Sequence, residues 1–164
     1  MPSPSENIIH KELDLIQDII KRMAANSFQI KAWLIGLLSA IVVFSMEKLT
    51  GIAGSFIGIF TSLLLLVPIV CFWYLDAFFL STEKLYRELY KWVVANRPET
   101  KAYLYDLNTF TRVANGQEVN LIKPENSIWQ MMKSKTLLPF YLTPLSFVLL
   151  LLVYHFSALL AIYI

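Results

Sequence analysis

The chain has 164 residues, of which 57% are hydrophobic and 16% are charged, and its mean hydropathy is +0.57. These values lie outside the usual range of soluble globular domains, while the formal net charge of +2 says little about partners. A span needs roughly 20 predominantly apolar residues to cross the hydrocarbon core. Three blocks meet or approach that length, at 31–48, 52–80 and 137–164, so the sequence predicts an integral membrane protein.

The predicted fold class is an all-α integral membrane protein with three transmembrane helices, cytoplasmic helical extensions and a small β-hairpin. Lys and Arg number four in residues 1–31, one in 47–51 and nine in 81–136. Because basic residues favour the cytoplasmic side, this distribution places the N-terminus and the middle segment in the cytoplasm and the C-terminus outside. The predicted divisions are a cytoplasmic amphipathic helix (1–30), span 1 (31–48), span 2 (52–80), a cytoplasmic helix with the hairpin (81–136) and span 3 (137–164).

The N-terminal segment carries an apolar stripe at the a/d spacing of a helical seam, formed by Ile9, Leu13, Ile16, Ile20 and Met23. With no breaker before the first span, one long helix from about residue 6 to residue 46 is predicted. The stripe favours packing against other helices in an oligomer, and the alternative is an amphipathic helix lying on the membrane surface. The first thirty residues contain four acids and no apolar core of the roughly 7–15 residues that a cleaved signal peptide needs.

The second span contains Gly54 and Gly58, a small-xxx-small pattern that permits close helix approach and is assigned to oligomer packing, although such patterns also occur by chance. Pro68 is expected to kink this span. The helix is predicted to continue to about residue 95, where Arg97 and the proline after it end it.

Residues 109–122 are predicted to form a hairpin, because Asn115 and Gly116 between two β-prone runs are typical of a type I′ turn. An isolated hairpin is marginally stable in water, so it needs a partner surface. A short helix then leads back to the membrane. Pro139 and Pro144 predict an irregular start to the third span.

Catalytic motifs are absent from the sequence, which predicts a protein that is not an enzyme and needs no cofactor. His10 and His155 are expected at opposite ends of the membrane protein, so no shared metal site is predicted. The single cysteine, Cys71, lies within a span, which excludes an intramolecular disulfide.

Asp76 stands where the second span is predicted to leave the bilayer. It lies near the expected depth of Lys31 and Asn26, and ionisable groups at that depth usually pair or face water. Either a pair with Lys31 or a hydrogen bond from Asn26 would hold the two long helices together, and Glu83 is placed to meet Arg22. The alternative is an ordinary solvated residue at a helix end. A helix that continues without a break past Asp76 would transmit movement into the span, and Pro68 is where it would bend. Gating and helix pairing are therefore predicted for Asn26, Lys31, Pro68, Asp76 and Glu83.

The segments "RMAANSFQIKAW" (22–33) and "FWYLDAFFLSTEKLYRELY" (72–90) resemble a family of small bacterial membrane proteins found in anti-phage defence loci, in particular the channel-forming effector of the Hailong system. The resemblance covers about residues 15–92. It implies an oligomeric channel of the bacterial inner membrane, four subunits by resemblance, held shut by single-stranded DNA oligomers that a partner nucleotidyltransferase makes. Opening would depolarise the membrane and arrest growth.

Basic and aromatic side chains on the cytoplasmic segments are candidates for binding such a ligand through phosphate contacts and base stacking. They are Arg22, Lys84, Arg87, Tyr90, Lys91 and Arg97. The alternative is an ordinary positive-inside surface with interfacial aromatics. For the whole protein, the alternatives to a gated pore are a non-conducting membrane anchor or scaffold that recruits a cytosolic partner and, more remotely, an intramembrane enzyme or transporter fragment.

Overall fold

A computed structural model describes residues 4–49, 56–97, 99–114 and 116–163. Their elements are α1 (Pro4–Leu49), α2 (Phe56–Asn96), β1 (Thr111–Ala114), β2 (Gln117–Asn120), a 3₁₀ turn (Pro124–Asn126), α3 (Ile128–Met132) and α4 (Leu137–Tyr163). The described chain is thus mostly helical with one two-stranded sheet, as the sequence predicts. Three of these helices contain stretches long and apolar enough to cross a membrane, at Glu6–Val43, Gly58–Asn96 and Leu137–Ala161.

The helix α1 is a single element of 46 residues, which confirms the long N-terminal helix predicted from the absence of breakers. Proline suits the first turn of a helix, where its missing N–H has no intrahelical partner, and α1 begins at Pro4. Glu6 in the first turn complements the positive end of the helix dipole.

The helix α2 runs for 41 residues without interruption from its apolar start into its charged end, with Pro68 inside it. Its last turn is closed by the Arg97 amide, which donates to the Val93 carbonyl at 3.0 Å. The Asn96 side chain donates to the Trp92 carbonyl at 2.8 Å, which satisfies a carbonyl that the ending helix would leave open. The predicted continuation of the helix to about residue 95 is confirmed.

The predicted hairpin is present. Strands β1 and β2 pair antiparallel with Ala114 opposite Gln117, so two residues connect them. Gly116 has a φ of 75°, a backbone conformation that glycine adopts without steric cost. Asn115, the other turn residue, lies outside the described residues.

The prediction of an irregular start to the third span is wrong, because α4 is helical from Leu137 through Tyr163. Pro139 lies in the first turn, where a missing amide N–H removes no intrahelical bond. Pro144 lies inside the helix. Thr143 and Ser146 bond back to the Pro139 and Thr143 carbonyls at 2.9 and 2.8 Å, so carbonyls near the proline find side-chain donors.

The described chain divides into two compact units. Unit 1 contains the start of α1, the charged end of α2, the hairpin and most of α3, within 1–27 and 77–131. Its core consists of the buried residues Ile16, Leu89, Trp92, Val93 and Leu121. Unit 2 contains the apolar parts of α1 and α2 together with α4, within 28–76 and 132–164.

Candidate functional site

Asp76 is completely buried in unit 2, so the interpretation of it as a solvated helix-end residue is wrong. Lys31 Nζ lies 2.5 Å from Asp76 Oδ2, which is one of the two partnerships that the sequence predicts. The Tyr141 hydroxyl donates to the same carboxylate at 3.0 Å. Asn26, the other predicted partner, belongs to unit 1. A lysine from α1 and a tyrosine from α4 therefore both hold the carboxylate of α2.

Tyr141 is itself fixed by neighbours in unit 2. The Trp73 ring stacks on it, with ring centroids 5.7 Å apart and an interplanar angle of 6°. Trp73 Nε1 donates to the Met132 carbonyl at 3.1 Å, which holds the indole in place. The Phe140 ring centroid lies 6.0 Å from Lys31 Nζ, within cation–π range. We name Lys31, Trp73, Asp76 and Tyr141 the Asp76 cluster.

The Asp76 cluster surrounds a buried carboxylate, and a buried charge without a partner would destabilise the protein. Removing one partner of a buried ion pair typically costs roughly 3–5 kcal/mol, because the other charge stays buried without compensation. Lys31 is 24% exposed, so its ammonium keeps some access to solvent, whereas Asp76 has none. The cluster therefore connects the three helices within unit 2 through one carboxylate.

A second polar contact in unit 2 joins α2 to α4. A Cβ atom placed on Gly58 would lie 2.6 Å from His155 Nδ1, so the imidazole packs directly on the glycine backbone. His155 is 1% exposed, and neither ring nitrogen has a hydrogen-bond partner among the described residues. The buried Ser62 hydroxyl donates to the Gly58 carbonyl at 2.9 Å. The predicted assignment of Gly58 to oligomer packing is therefore corrected, since its close approach is to α4 of its own chain, and Gly54 lies outside the described residues.

The buried faces of the unit 2 helices combine apolar and ionisable residues, while many large apolar residues are exposed. The buried face of α4 contains Leu137, Tyr141, Val148 and His155, and that of α2 contains Ser62, Leu65, Ile69 and Asp76. By contrast Phe60 is 66% exposed, Leu150 68% and Val153 65%. Contiguous exposed apolar surface usually marks contact with another apolar phase.

Unit 1 holds a buried ionic group at the end of α2. Arg97 Nη2 donates to Glu12 Oε1 at 2.5 Å, and the two side chains are 2% and 1% exposed. The Tyr105 amide donates to the same oxygen at 3.2 Å. Glu12 thereby joins α1, the end of α2 and the segment after it. With Trp92, Tyr103 and Arg112 these residues form what we name the arginine cluster: Glu12, Trp92, Arg97, Tyr103 and Arg112.

Arg112 is buried, although it lies on β1 of the hairpin. The centre of its guanidinium lies 4.9 Å from the Trp92 ring centroid and 5.1 Å from that of Tyr103, so two aromatic rings cover it. Burial lowers the pKa of Arg112, and the nearby carboxylates of Asp106 and Glu12 partly oppose that shift. This contact supplies the partner surface that the isolated hairpin needs.

The predicted ligand-binding residues do not share one surface role. The Arg97 guanidinium is buried against Glu12 and against backbone carbonyls that follow α2, so it is not part of an exposed binding surface. Arg87 and Lys91 remain 58% and 71% exposed while pairing with Glu83 and Glu88 on the same helix. The Tyr90 hydroxyl accepts a hydrogen bond from Gln17 at 3.3 Å. Arg22 is exposed and Lys84 is half-buried.

The predicted meeting of Glu83 with Arg22 is wrong. Arg87 Nη2 lies 2.7 Å from Glu83 Oε1, one helical turn away on α2. Arg22 makes no ion pair within the described part of the chain. A partner four residues along the same helix needs no tertiary contact, which is why the local pair forms.

The apolar stripe on α1 is used within the chain. Ile16 is completely buried in the core of unit 1, with Leu13 and Ile20 packed against that core. Ile9 and Met23 are half-buried. The predicted assignment of the stripe to an oligomer seam is therefore corrected for its central residues, because their surface is already covered by their own protomer.

Several residues of these clusters were not singled out from sequence, although some left a signal. Glu12 lies four residues before Ile16 and so on the buried side of α1, where an acid needs a partner. Tyr141 and His155 share the helical face of Leu137 and Val148, a pattern visible at steps of four and seven. No local pattern predicts the burial of Arg112. Its partners Tyr103, Asp106 and Asn108 are near it in sequence, but the conformation of that irregular segment and its contact with Trp92 decide the burial.

Among the described residues no group of three or more His, Cys, Asp or Glu side chains is placed to hold a metal ion. No protein-family model, curated protein or solved structure matches this chain. The features that bear on its function are therefore the two clusters and the distribution of apolar surface.

Proposed function

We propose that the chain is a membrane-embedded subunit of a homo-oligomeric pore, gated through its charged unit. The observation that carries the proposal is the Asp76 cluster, a buried carboxylate held by Lys31 and Tyr141 inside helices whose outer faces are apolar. Ionisable groups within membrane spans are rare and mark ion pathways, proton relays or sensors more often than mere packing.

Insertion into a bilayer is supported by where the apolar side chains lie. Phe28, Trp33 and Val43 on α1 are 73%, 65% and 70% exposed, and water would solvate such a surface poorly. Three helices have the length and composition of spans. The charged and hydroxyl groups of the Asp76 cluster meanwhile bind one another on the inner faces, as ionisable groups within spans usually do.

The small number of spans supports the proposal that several copies assemble. Three spans are too few for a secondary transporter built from internal repeats, and the sequence has no such repeat. A pore needs several copies around an axis. Since the centre of the α1 stripe and Gly58 are covered by the chain itself, the proposed contacts between copies fall on the exposed faces instead.

Gating is proposed to act at Asp76 because both long helices are uninterrupted there. Asp76 and Lys31 lie within α2 and α1, each continuous from apolar to charged sequence, so no break in either helix would absorb a movement. The resemblance adds the biological setting to this proposal: a defence effector of the bacterial inner membrane, with its N-terminus in the cytoplasm, gated by a nucleotide or single-stranded oligonucleotide from a partner nucleotidyltransferase. Arg22, Lys84, Arg87 and Lys91 are the remaining candidates for phosphate contacts.

The test replaces Asp76 in the full-length protein, purified in detergent and reconstituted into liposomes. Asp76→Ala removes the buried carboxylate that pairs with the Lys31 ammonium, at a cost of roughly 3 kcal/mol or more. The Tyr141 hydroxyl keeps its other acceptor, the Phe72 carbonyl at 3.2 Å. We expect altered ion flux and altered dye entry in cells that express the partner gene, with membrane insertion unchanged. Asp76→Asn keeps an acceptor and should give a smaller effect.

Asp18→Ala is the matched control, since Asp18 is 73% exposed and pairs only loosely with Lys21 at 3.7 Å. Mass and the 260/280 nm absorbance ratio of the purified protein report the subunit number and any bound oligonucleotide. If Asp76→Ala inserts, assembles and conducts as the wild type does, Asp76 has no part in gating. If the wild-type assembly never conducts, the protein is an anchor or scaffold instead.

A further inference from the structure

The arginine cluster contains more buried positive charge than buried negative charge. Counted as whole residues, Arg97, Arg112 and Glu12 are 5%, 1% and 1% exposed. The cluster therefore buries two guanidinium groups and one carboxylate. Asp106 offers only weak compensation, because its carboxylate is 44% exposed and lies 3.9 Å from Arg112 Nη2. A buried charge without a counter-charge is costly, so the cluster favours an additional anion.

The same cluster contains polar atoms with nothing to bind. Arg97 Nε, Arg112 Nε, Arg112 Nη1 and Trp92 Nε1 are buried donors without a hydrogen-bond partner among the described residues. Glu12 Oε2 is a buried acceptor in the same condition. Both guanidinium groups face the Trp92 ring, with centres 5.9 and 4.9 Å from its centroid. Buried polar groups are normally satisfied, so several unsatisfied donors with one acceptor indicate a missing ligand.

The segment 99–110, which we name the strap, accepts hydrogen bonds from these arginines through neutral backbone carbonyls, and the Asp106 carboxylate is a more distant charged contact. Arg97 donates to the carbonyls of Thr100, Ala102 and Tyr103, and Arg112 donates to those of Asp106 and Asn108. A hydrogen bond from guanidinium to a carbonyl has one charged partner, whereas a bond to an oxyanion has two, so an oxyanion would compete with the carbonyls.

Backbone strain in the strap points to a segment that can change conformation. Tyr103 and Tyr105 have φ values of 59° and 57°, a left-handed conformation that residues with a Cβ atom rarely adopt. Such strain persists where surrounding contacts enforce it, and here the enforcing contacts are those to Arg97 and Glu12. Replacing these contacts would allow the strap to relax.

We propose that Arg97 and Arg112 form an anion site closed by the strap, and that its ligand is a phosphate group that retains a proton. The ionised oxygens of such a group accept from the unpartnered guanidinium and indole donors. Its remaining O–H donates to Glu12 Oε2, an acceptor that a fully ionised sulfate or a phosphodiester would repel. Inorganic phosphate and terminal phosphate monoesters share this chemistry. The site does not depend on the proposed pore, because it lies wholly within unit 1.

The test measures thermal unfolding of the full chain in a maltoside detergent at constant ionic strength and about pH 6, where roughly half of a phosphate monoester retains a proton. Inorganic phosphate should raise the unfolding midpoint in a saturable manner, because a ligand that binds only the folded state stabilises it. A monoester, glycerol phosphate, should act likewise. Sulfate, dimethyl phosphate and short-chain phosphatidylglycerol, which lack the phosphate proton, should produce no saturable shift, and the last separates a free phosphate from a lipid headgroup.

Arg112→Gln should weaken the apparent phosphate affinity by roughly tenfold or more, as expected for losing a charge-assisted contact. Lys21→Gln, at a lysine of the same unit that is 74% exposed, should leave it unchanged. Amide hydrogen exchange of the wild type provides a measurement that needs no variant: phosphate should alter exchange at Ala102 and Tyr105 in the strap. Equal shifts with phosphate and sulfate, or an unchanged midpoint and unchanged strap exchange in the wild type, would overturn the proposal. The readouts are independent of conductance, so failure of the pore leaves this result interpretable.

Discussion

At the scale of single residues, Gly58 and His155 show how one missing side chain positions two helices. The imidazole occupies the space that any Cβ atom at residue 58 would need, with His155 Nδ1, Cε1 and Cγ at 2.6, 2.8 and 3.0 Å from it. The ring is buried and has little room to withdraw. The glycine is therefore required by its neighbour, and not by its own backbone conformation.

Gly58→Ala should destabilise the protein by about 1–3 kcal/mol, the usual cost of overpacking a close contact. The measurement is denaturant unfolding in detergent micelles. Gly36→Ala is the matched control, since Gly36 lies in a long helix with nothing within 4 Å of an added Cβ atom. That control should be neutral or slightly stabilising, because alanine is the better helix former. Combining Gly58→Ala with His155→Ala should cost less than the sum of the two single changes; strict additivity would show that the contact is absent.

Glu88 is a residue whose charge should make stability depend on pH. Hydrogen bonds from Lys123 and Lys91, at 2.6 and 2.7 Å, lower the pKa of Glu88 below its ordinary value of 4.5. A carboxyl group whose pKa is lower in the folded state than in the unfolded state stabilises the fold at pH values above its unfolded-state pKa. This stabilisation is lost as the pH falls through the folded-state pKa.

We therefore expect the wild type to lose stability relative to Glu88→Gln as the pH falls from about 5 towards 3. The difference should stay below about 1 kcal/mol, because both lysines reach solvent and the interaction is screened. Thermal unfolding of the two proteins across this pH range is the measurement. Parallel curves for the two proteins would mean that the Lys123–Glu88 pair contributes nothing.

At the scale of elements, adjacent side chains of α1 face different surroundings, one in the core and the next at the surface. Ile16 is completely buried in unit 1, whereas Leu15 beside it is 41% exposed. Ile16→Ala should cost about 2–5 kcal/mol through the cavity that it leaves. Leu15→Ala, the same kind of truncation one residue away, should cost much less.

Unfolding of unit 1, followed by hydrogen exchange of the hairpin and the end of α2, distinguishes these outcomes. The double change Ile16→Asp with Ile20→Asp should unfold unit 1 as well as alter the subunit number, because a buried charge without a partner enters the core. A well-folded unit 1 that merely fails to assemble would restore the oligomer-seam interpretation of the stripe.

At the scale of the whole molecule, the distribution of basic residues predicts which side of the membrane each unit faces. A reporter active only in the cytoplasm should give signal when inserted at the hairpin turn, at Asn115, and none when fused at Ile164; both sites lie outside the described residues. The physical reason is the excess of Lys and Arg in 81–136 over the single one in 47–51. The opposite pattern would overturn the orientation and, with it, the proposed cytoplasmic gating.

The long helices and the hairpin were predictable because their signals are local. Uninterrupted helix-forming sequence predicted α1 and α2 close to their ends, and Asn115-Gly116 predicted a two-residue connection between strands. The prolines of α4 did not make the start of the span irregular, because Pro139 lies in the first turn, which tolerates proline, and the helix continues past Pro144.

The sequence by itself determined which segments are apolar, which are helical and where charge is concentrated, since each depends on residues a few positions apart. It also narrowed the partner of Asp76 to two residues. Only the tertiary structure decided that Tyr141 completes that partnership, that Glu12 and Arg112 join Arg97 in a buried cluster, and that Ile16 packs within its own chain. These contacts join residues dozens of positions apart, and which of many compatible partners meet is set by how whole helix faces pack, a choice that local periodicity does not encode.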